Sequence, residues 1–355
     1  LFFRSVLFIF LSASVAASSF DEKAQALLEQ QVRDSGVAGV SAGIMVDGEI
    51  VWLGGAGFRD VENQIPAEGD MLARIASITK SMTATGIMQL EEKKKLKLND
   101  LVRKHVKTYP KKAKGKVRIE HLLTHTSGTR HYQGKENRPM THYESLDDAI
   151  TLFMDRRLAF EPGSRYLYTT YGYTLLGAAI EGASKQTYEE YMREHIWEAA
   201  GMTRTELEIR GKTLPEQAKL YRFSNDGELV EDEYTDLSVK YPGGGLVSTA
   251  EDLLRFGHAF VEGELVSEST VERMLTVKIV PKQSVPYALG WMVFDHPEWG
   301  KRIHNDGGQA GTTTMLDIYP EKGIVVAVMC NVYRAGQPVN AVASGLVELA
   351  LQETD

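Results

Sequence analysis

The segment Ala76-Ser77-Ile78-Thr79-Lys80 sets a hydroxyl three residues ahead of an amine. If Ser77 opens a helix, that spacing brings Lys80 onto the same face, one turn on. A serine hydroxyl is a poor nucleophile until a base removes its proton. A lysine with an ordinary pKa of ~10.4 cannot be that base at neutral pH. Burial and the positive end of a helix dipole both disfavour the charged amine, so this location can make Lys80 a usable base. Ser-x-x-Lys also arises often by chance as a solvent-facing pair, so the tetrapeptide needs partners elsewhere in the chain.

Two further segments supply them. Glu161-Pro162-Gly163 turns into the Tyr-rich run Tyr166-Leu167-Tyr168-Thr169-Thr170-Tyr171 and then an amphipathic helix. Tyr168 is a candidate general acid/base, its phenol able to relay the Ser77 proton to a leaving group beside a cationic lysine. Ile303 to Thr314 is a Gly-rich segment entering a strand, where main-chain N–H groups can act as donors. One of these paired with the Ser77 N–H would make an oxyanion hole.

The elements that must hold these groups follow from patterning. Apolar spacing predicts a helix over Phe20 to Asp34. Val40 to Val46 and Glu49 to Leu53 read as strands joined by the hairpin turn Asp47-Gly48. From Ser77 to about Ile209 the character is helical, with capping signals at Ser145/Asp148 and at Ser248/Glu251. Strand character returns over Tyr287–Phe294, Thr312–Tyr319 and Gly323–Val332, before a closing helix from Pro338 to Leu351. The predicted fold is α+β: one antiparallel sheet built from both ends of the chain, flanked by helices, with a large, mostly helical insertion. The sheet part is expected over about 20–72 and 235–355, and the helical part over about 73–234.

In this order and spacing the three segments resemble the serine beta-lactamase/D-alanyl-D-alanine peptidase superfamily, in its class C-like, beta-lactamase-related branch. The resemblance runs from about Val37 to Val332. It includes Arg74 to Ser81, His121-Leu122-Leu123-Thr124-His125-Thr126-Ser127-Gly128 and Pro242-Gly243-Gly244-Gly245-Leu246-Val247-Ser248-Thr249. It implies Ser77 as the acylated nucleophile, Lys80 as its base and Tyr168 as the acid/base of the second motif. Thr170 stands where that motif commonly ends in Asn; its hydroxyl donates one hydrogen bond but lacks the amide's reach. The third motif, commonly Lys/His-Thr-Gly, has two registers here. Either His304 holds the basic position with one extra residue, or Asn305-Asp306-Gly307-Gly308 aligns directly. Anchoring on Gly307 and Gly308 makes Gly308 the oxyanion donor. Neither register supplies a permanent cation, and Asp306 would repel a substrate carboxylate, so efficient β-lactam hydrolysis is not expected.

The implied activity is acyl-enzyme hydrolysis of a small peptide or related amide, with no cofactor and no metal. The alternatives are a carboxylesterase, or a penicillin-binding sensor with little turnover. Gly39-Val40-Ser41-Ala42-Gly43 matches the nucleophile-elbow letters but sits in a strand entering a hairpin, not at a strand-to-helix turn. His121 and His125 have zinc-helix spacing without the Glu of that motif, and with His131 they read better as loop histidines buttressing the site's rim.

The 355 residues are 43% hydrophobic and 25% charged, enough for a large core without staples. Cys330, in an apolar run, reads as a small core residue. A formal charge of −8 argues against a nucleic-acid partner, and the basic residues between Lys93 and Arg118 read as a solvated face. At the N-terminus, Arg4, the apolar run Val6 to Leu11 and Val15-Ala16-Ala17 read as a signal peptide over 1–17. That predicts a secreted or periplasmic protein without stable membrane insertion.

Overall fold

The computed structural model describes residues 7–110, 116–281, 283 and 285–354, with side chains described from Phe20. The expected leader therefore lies outside the described residues in its first six positions and in its side chains. No helix among the described residues is long and apolar enough to cross a membrane.

Along the chain, helix α1 (Leu7–Ser35) precedes strands β1 (Gly39–Val46), β2 (Glu49–Asp60), β3 (Ile65–Pro66) and β4 (Ala73–Arg74). Helices α2 (Thr79–Glu92), α3 (Val102–His105), α4 (Ile119–Leu123), α5 (Leu146–Thr151), α6 (Thr170–Ser184) and α7 (Tyr188–Met192) follow. Then come the short strands β5 (Glu206–Leu207), β6 (Tyr221–Phe223) and β7 (Leu229–Glu231). After α8 (Tyr241–Gly244) the chain runs through β8 (Leu246–Ser248), α9 (Ala250–Val261) and α10 (Glu268–Leu275). It ends with β9 (Met292–His296), β10 (Gly300–Gln309), β11 (Thr312–Tyr319), β12 (Ile324–Cys330), β13 (Val332–Tyr333) and α11 (Gly336–Thr354).

The main sheet has seven strands in the order β3-β2-β1-β12-β11-β10-β9, with antiparallel pairing at each step. It is α+β and is built from both ends of the chain, as patterning predicts. Its central strands are buried on both faces because helices cover both. Val326, Val328 and Cys330 of β12 pack toward α1 and α11, whereas Val325, Ala327 and Met329 pack toward the larger core around α2, α6 and α9. That explains why β12 reads as a continuous apolar run and not as an alternation. Cys330 is a buried core residue, its thiol pushed up to about 12 by burial. Ser41 sits inside β1, its hydroxyl donating to the Gly69 carbonyl at 3.1 Å, which is a structural role.

Several boundaries differ from expectation. The cap of α9 is Thr249, whose hydroxyl accepts the Asp252 N–H, because Ser248 is still in β8. Ser145 does cap α5, accepting from the Asp148 N–H. The outer strand β9 begins at Met292, later than Tyr287. The Gly-rich third segment is itself a strand, β10, hydrogen-bonded in register with β11 through Gln309↔Thr312. Glycine lowers strand propensity, so composition hid a strand that tertiary pairing enforces.

Candidate active site

β9 pairs with β10 only as far as His304↔Met292. Past that point the edge of β10 has no outer strand among the described residues, and it lies against the turn that carries Ser77. Closeness demands glycine there: a Cβ on Gly307 would fall 2.5 Å from the Ile75 carbonyl oxygen and 2.9 Å from the Ala76 Cβ. Two threonines of β11 clamp the same turn, Thr312 donating to the Arg74 carbonyl at 2.8 Å and Thr314 to that of Ile75 at 3.1 Å. So held, Ala76 adopts φ +45°, a left-handed conformation that a residue with a Cβ seldom takes. Ser77 follows in a single 3-10 turn (Ala76–Ile78) leading into α2, half-buried at the helix entrance.

Lys80 lies one turn further on and is fully buried. Its Nζ is 2.9 Å from Ser77 Oγ and donates to the Gly243 carbonyl at 2.5 Å. It also lies 5.0 Å from the centroid of the Tyr168 ring. No carboxylate is within ion-pairing distance of it among the described residues. Burial, and then the nearby Lys240 charge, hold its pKa well below the lysine range, opposed in part by Asp306. In the neutral amine an N–H is used on the Gly243 carbonyl, which can only accept, and a lone pair remains for the Ser77 proton.

The Tyr168 hydroxyl donates to Ser77 Oγ at 2.8 Å. Burial raises its pKa well above the phenol range, helped by Tyr287, so the proton stays on it. His125 holds this segment from behind. Its carbonyl accepts the Leu167 N–H at 2.8 Å and its Nδ1 accepts the Thr169 N–H at 3.2 Å, one residue to either side of Tyr168. Its ring lies 4.2 Å from that of Tyr168, and burial, then Lys80, keeps it neutral.

Ser77 and Tyr168 line a cavity of about 220 Å³ that Thr170, Gly308, Lys240 and Arg138 also line. Thr170 opens α6 and packs where a Cβ on Gly243 would come within 2.6 Å of its Cγ2, so this glycine lets α8 approach. His131 accepts the Thr170 N–H at 3.5 Å, and its ring lies 4.0 Å from that of Tyr132. Burial first, then the two lysines, lowers its pKa to about 4. His121 turns back to its own helix start, its Nδ1 accepting the Arg118 N–H at 3.3 Å.

The strand alternation of β10 decides the register left open by sequence. Asn305 points toward α2, donating to Ser81 Oγ at 2.7 Å and to the Gly290 carbonyl at 3.1 Å. His304 points to the opposite face, its Nδ1 2.6 Å from one Asp317 carboxylate oxygen, while Arg302 donates to the other at 2.8 Å. It does not line the cavity, so the expected role of His304 in substrate binding is corrected to a position hydrogen-bonded to Asp317 behind the strand. Asp306 is exposed and is likewise absent from the lining. Gly307 packs against the nucleophile turn, while at Gly308 a Cβ would meet only open space and the backbone borders the cavity.

Lys240, Arg138 and the Gly243 carbonyl were not singled out from sequence. The Gly243 position had a signal, a glycine run with no turn to explain it. Lys240 had none, being one lysine among many.

A beta-lactamase family model matches residues 24–348. The human (Homo sapiens) serine beta-lactamase-like protein LACTB, mitochondrial, is 28% identical over 422 aligned positions, covering 89% of this chain and 77% of that protein. Among solved structures, the octameric penicillin-binding protein homologue from Pyrococcus abyssi superposes with a TM-score of 0.78 at 30% identity, covering 92% of this chain and 76% of that one. The D-amino acid amidase from Ochrobactrum anthropi SV3 has a TM-score of 0.82 at 22% identity, covering 95% and 100%, a likeness of fold.

Proposed function

The chain belongs to the beta-lactamase family, and from that premise we propose that it is a serine hydrolase that cleaves peptide or related amide bonds through an acyl-enzyme. The observation that carries this reading is the pair of contacts on one oxygen, Ser77 Oγ, from Lys80 Nζ at 2.9 Å and Tyr168 OH at 2.8 Å. Neutral Lys80 takes the Ser77 proton as Oγ attacks the substrate carbonyl. The oxyanion sits between the N–H groups of Ser77 and Gly308. The Tyr168 phenol gives its proton to the leaving nitrogen and is resupplied by the Lys80 ammonium. Water then enters, loses a proton to the same pair and releases the acyl group. Amines leave only when protonated, whereas most alcohols leave with less help, so a retained phenol proton favours the amide over the ester reading.

The test is a library of short peptide amides beside a p-nitrophenyl ester series, run on the full chain and on Ser77→Ala. Amide turnover that disappears in Ser77→Ala, with a transient acyl adduct on Ser77 by mass spectrometry, is the expected result. Ester turnover without amide turnover would make the protein a carboxylesterase. An adduct that persists with no product would make it a sensor.

A further inference from the structure

The charges around the cavity do not balance. Arg74 is answered by Glu208 through two contacts. Asp232 answers two guanidinium groups, Arg138 at 2.6 Å and Arg222 at 3.4 Å. Lys240 is 2% exposed, borders the cavity and has no carboxylate within ion-pairing distance among the described residues. The Tyr132 ring lies against its ammonium, 5.4 Å away at the centroid. No aspartate or glutamate lines this cavity. A buried cation facing a cavity without an anion is costly to keep, and such positions mark sites where a ligand supplies the missing charge.

The cavity also has a direction. From β10 and the turn after it, the cavity is lined by Gly308, Gln309 and Ala310, and by none of His304, Asn305 or Asp306. It therefore extends from Ser77 away from Asp306. Tyr168 serves the leaving group, and the Asp306 charge acts on Tyr168 and Tyr287, so an anion on the leaving side would be repelled. The Lys240 end is left for the part of the substrate that stays on Ser77.

We infer that the acyl portion of the substrate carries a carboxylate, received in this cavity by the Lys240 ammonium with Arg138 beside it. This rests on the acyl-enzyme reading and names the substrate class within it. The third motif supplies no cation in this reading: the cation comes from the segment before α8. The lowering of the Lys240 pKa to about 7, from burial and then Arg74, fits an ammonium that gains its counter-charge only on binding.

Two alkyl fluorophosphonates of equal length test this, one ending in a carboxylate and one in a carboxamide. In each, Ser77 Oγ displaces fluoride and keeps the phosphonyl chain, so the chain occupies the acyl side. At pH 6.5 the carboxylate probe is expected to label Ser77 at least about ten-fold faster. The preference should fall to near unity in Lys240→Met and be largely kept in Lys240→Arg. Removing Lys240 also alters Lys80, but that acts on both probes and cancels in their ratio. Equal labelling of the native protein, a decision that needs no variant to fold, would overturn the inference, as would a preference that survives Lys240→Met. Failure of both probes to label Ser77 would instead remove the acyl-enzyme reading, and this inference with it.

Discussion

Arg74 and Lys80 are six residues apart, on either side of the turn that presents Ser77, and both are buried basic side chains. Arg74 donates to both oxygens of Glu208, to the Thr235 hydroxyl and to the Ala310 carbonyl. Lys80 has one hydroxyl and one carbonyl. A guanidinium cannot shed its proton, so it must be fully answered to be buried at all. An amine can, so leaving it unanswered turns the cost of burial into base strength. The first region fixes the sheet edge on which the turn rests. The second spends stability to keep a lone pair beside Ser77.

If that division holds, Lys80→Met should lower turnover by about 10⁴-fold or more while the fold survives, because nucleophile and base act as a unit. Its unfolding midpoint should stay level or rise by about 2–4 °C. The sign follows from linkage. The unfolded chain holds the Lys80 proton at neutral pH and the folded protein does not, so native stability rises with pH between the folded and unfolded pKa values. Lys80→Met should lose that part of the slope in paired urea titrations; an unchanged slope would mean the buried amine stays charged. Tyr168→Phe keeps the ring but not the proton, and should lower kcat on amide substrates by ~10²–10⁴-fold. An unaltered kcat would remove Tyr168 from proton transfer.

Glu208→Gln probes the other region. It leaves Arg74 buried and unanswered, and should cost about 3–5 kcal/mol in urea unfolding, whereas Arg74→Met combined with Glu208→Leu should recover most of the loss. A smaller effect is expected in the pH–rate profile. The rising limb of kcat/KM, where Lys80 loses its proton, should lie well below the ordinary lysine range and move to higher pH in Lys240→Met, since the Lys240 charge helps hold Lys80 neutral. Least affected should be His304→Ala, with kcat/KM within about three-fold of native on neutral substrates, because His304 faces Asp317 behind the strand. A larger drop would return His304 to the site.

How far the sequence could be read depended on whether a feature was local. The Asp47-Gly48 hairpin, the Ser145 cap and the apolar run of β12 are set by near neighbours in the chain and were legible. The Ser-x-x-Lys spacing was legible too, because a helical turn has fixed geometry. The β10 strand was not, because Gly307 and Gly308 lower its propensity, and only the fit against Ile75 and Ala76 explains Gly307. The choice between His304 and Asn305 turned on a single residue of register, and a shift of one exchanges the two faces of a strand. Lys240 was invisible because its neighbours Tyr132, Arg138 and Gly308 come from distant parts of the chain.

Sequence alone thus determined that a hydroxyl and an amine share one face of a helix, that a tyrosine-bearing segment and a glycine-rich strand follow, and that a two-faced sheet carries them. Those are consequences of backbone periodicity and apolar patterning. Tertiary structure decided which side of β10 meets Ser77, that no carboxylate answers Lys80, and that a second lysine borders the same cavity. Solvent exclusion and charge balance are sums over groups far apart in the chain, and only the folded arrangement brings them together.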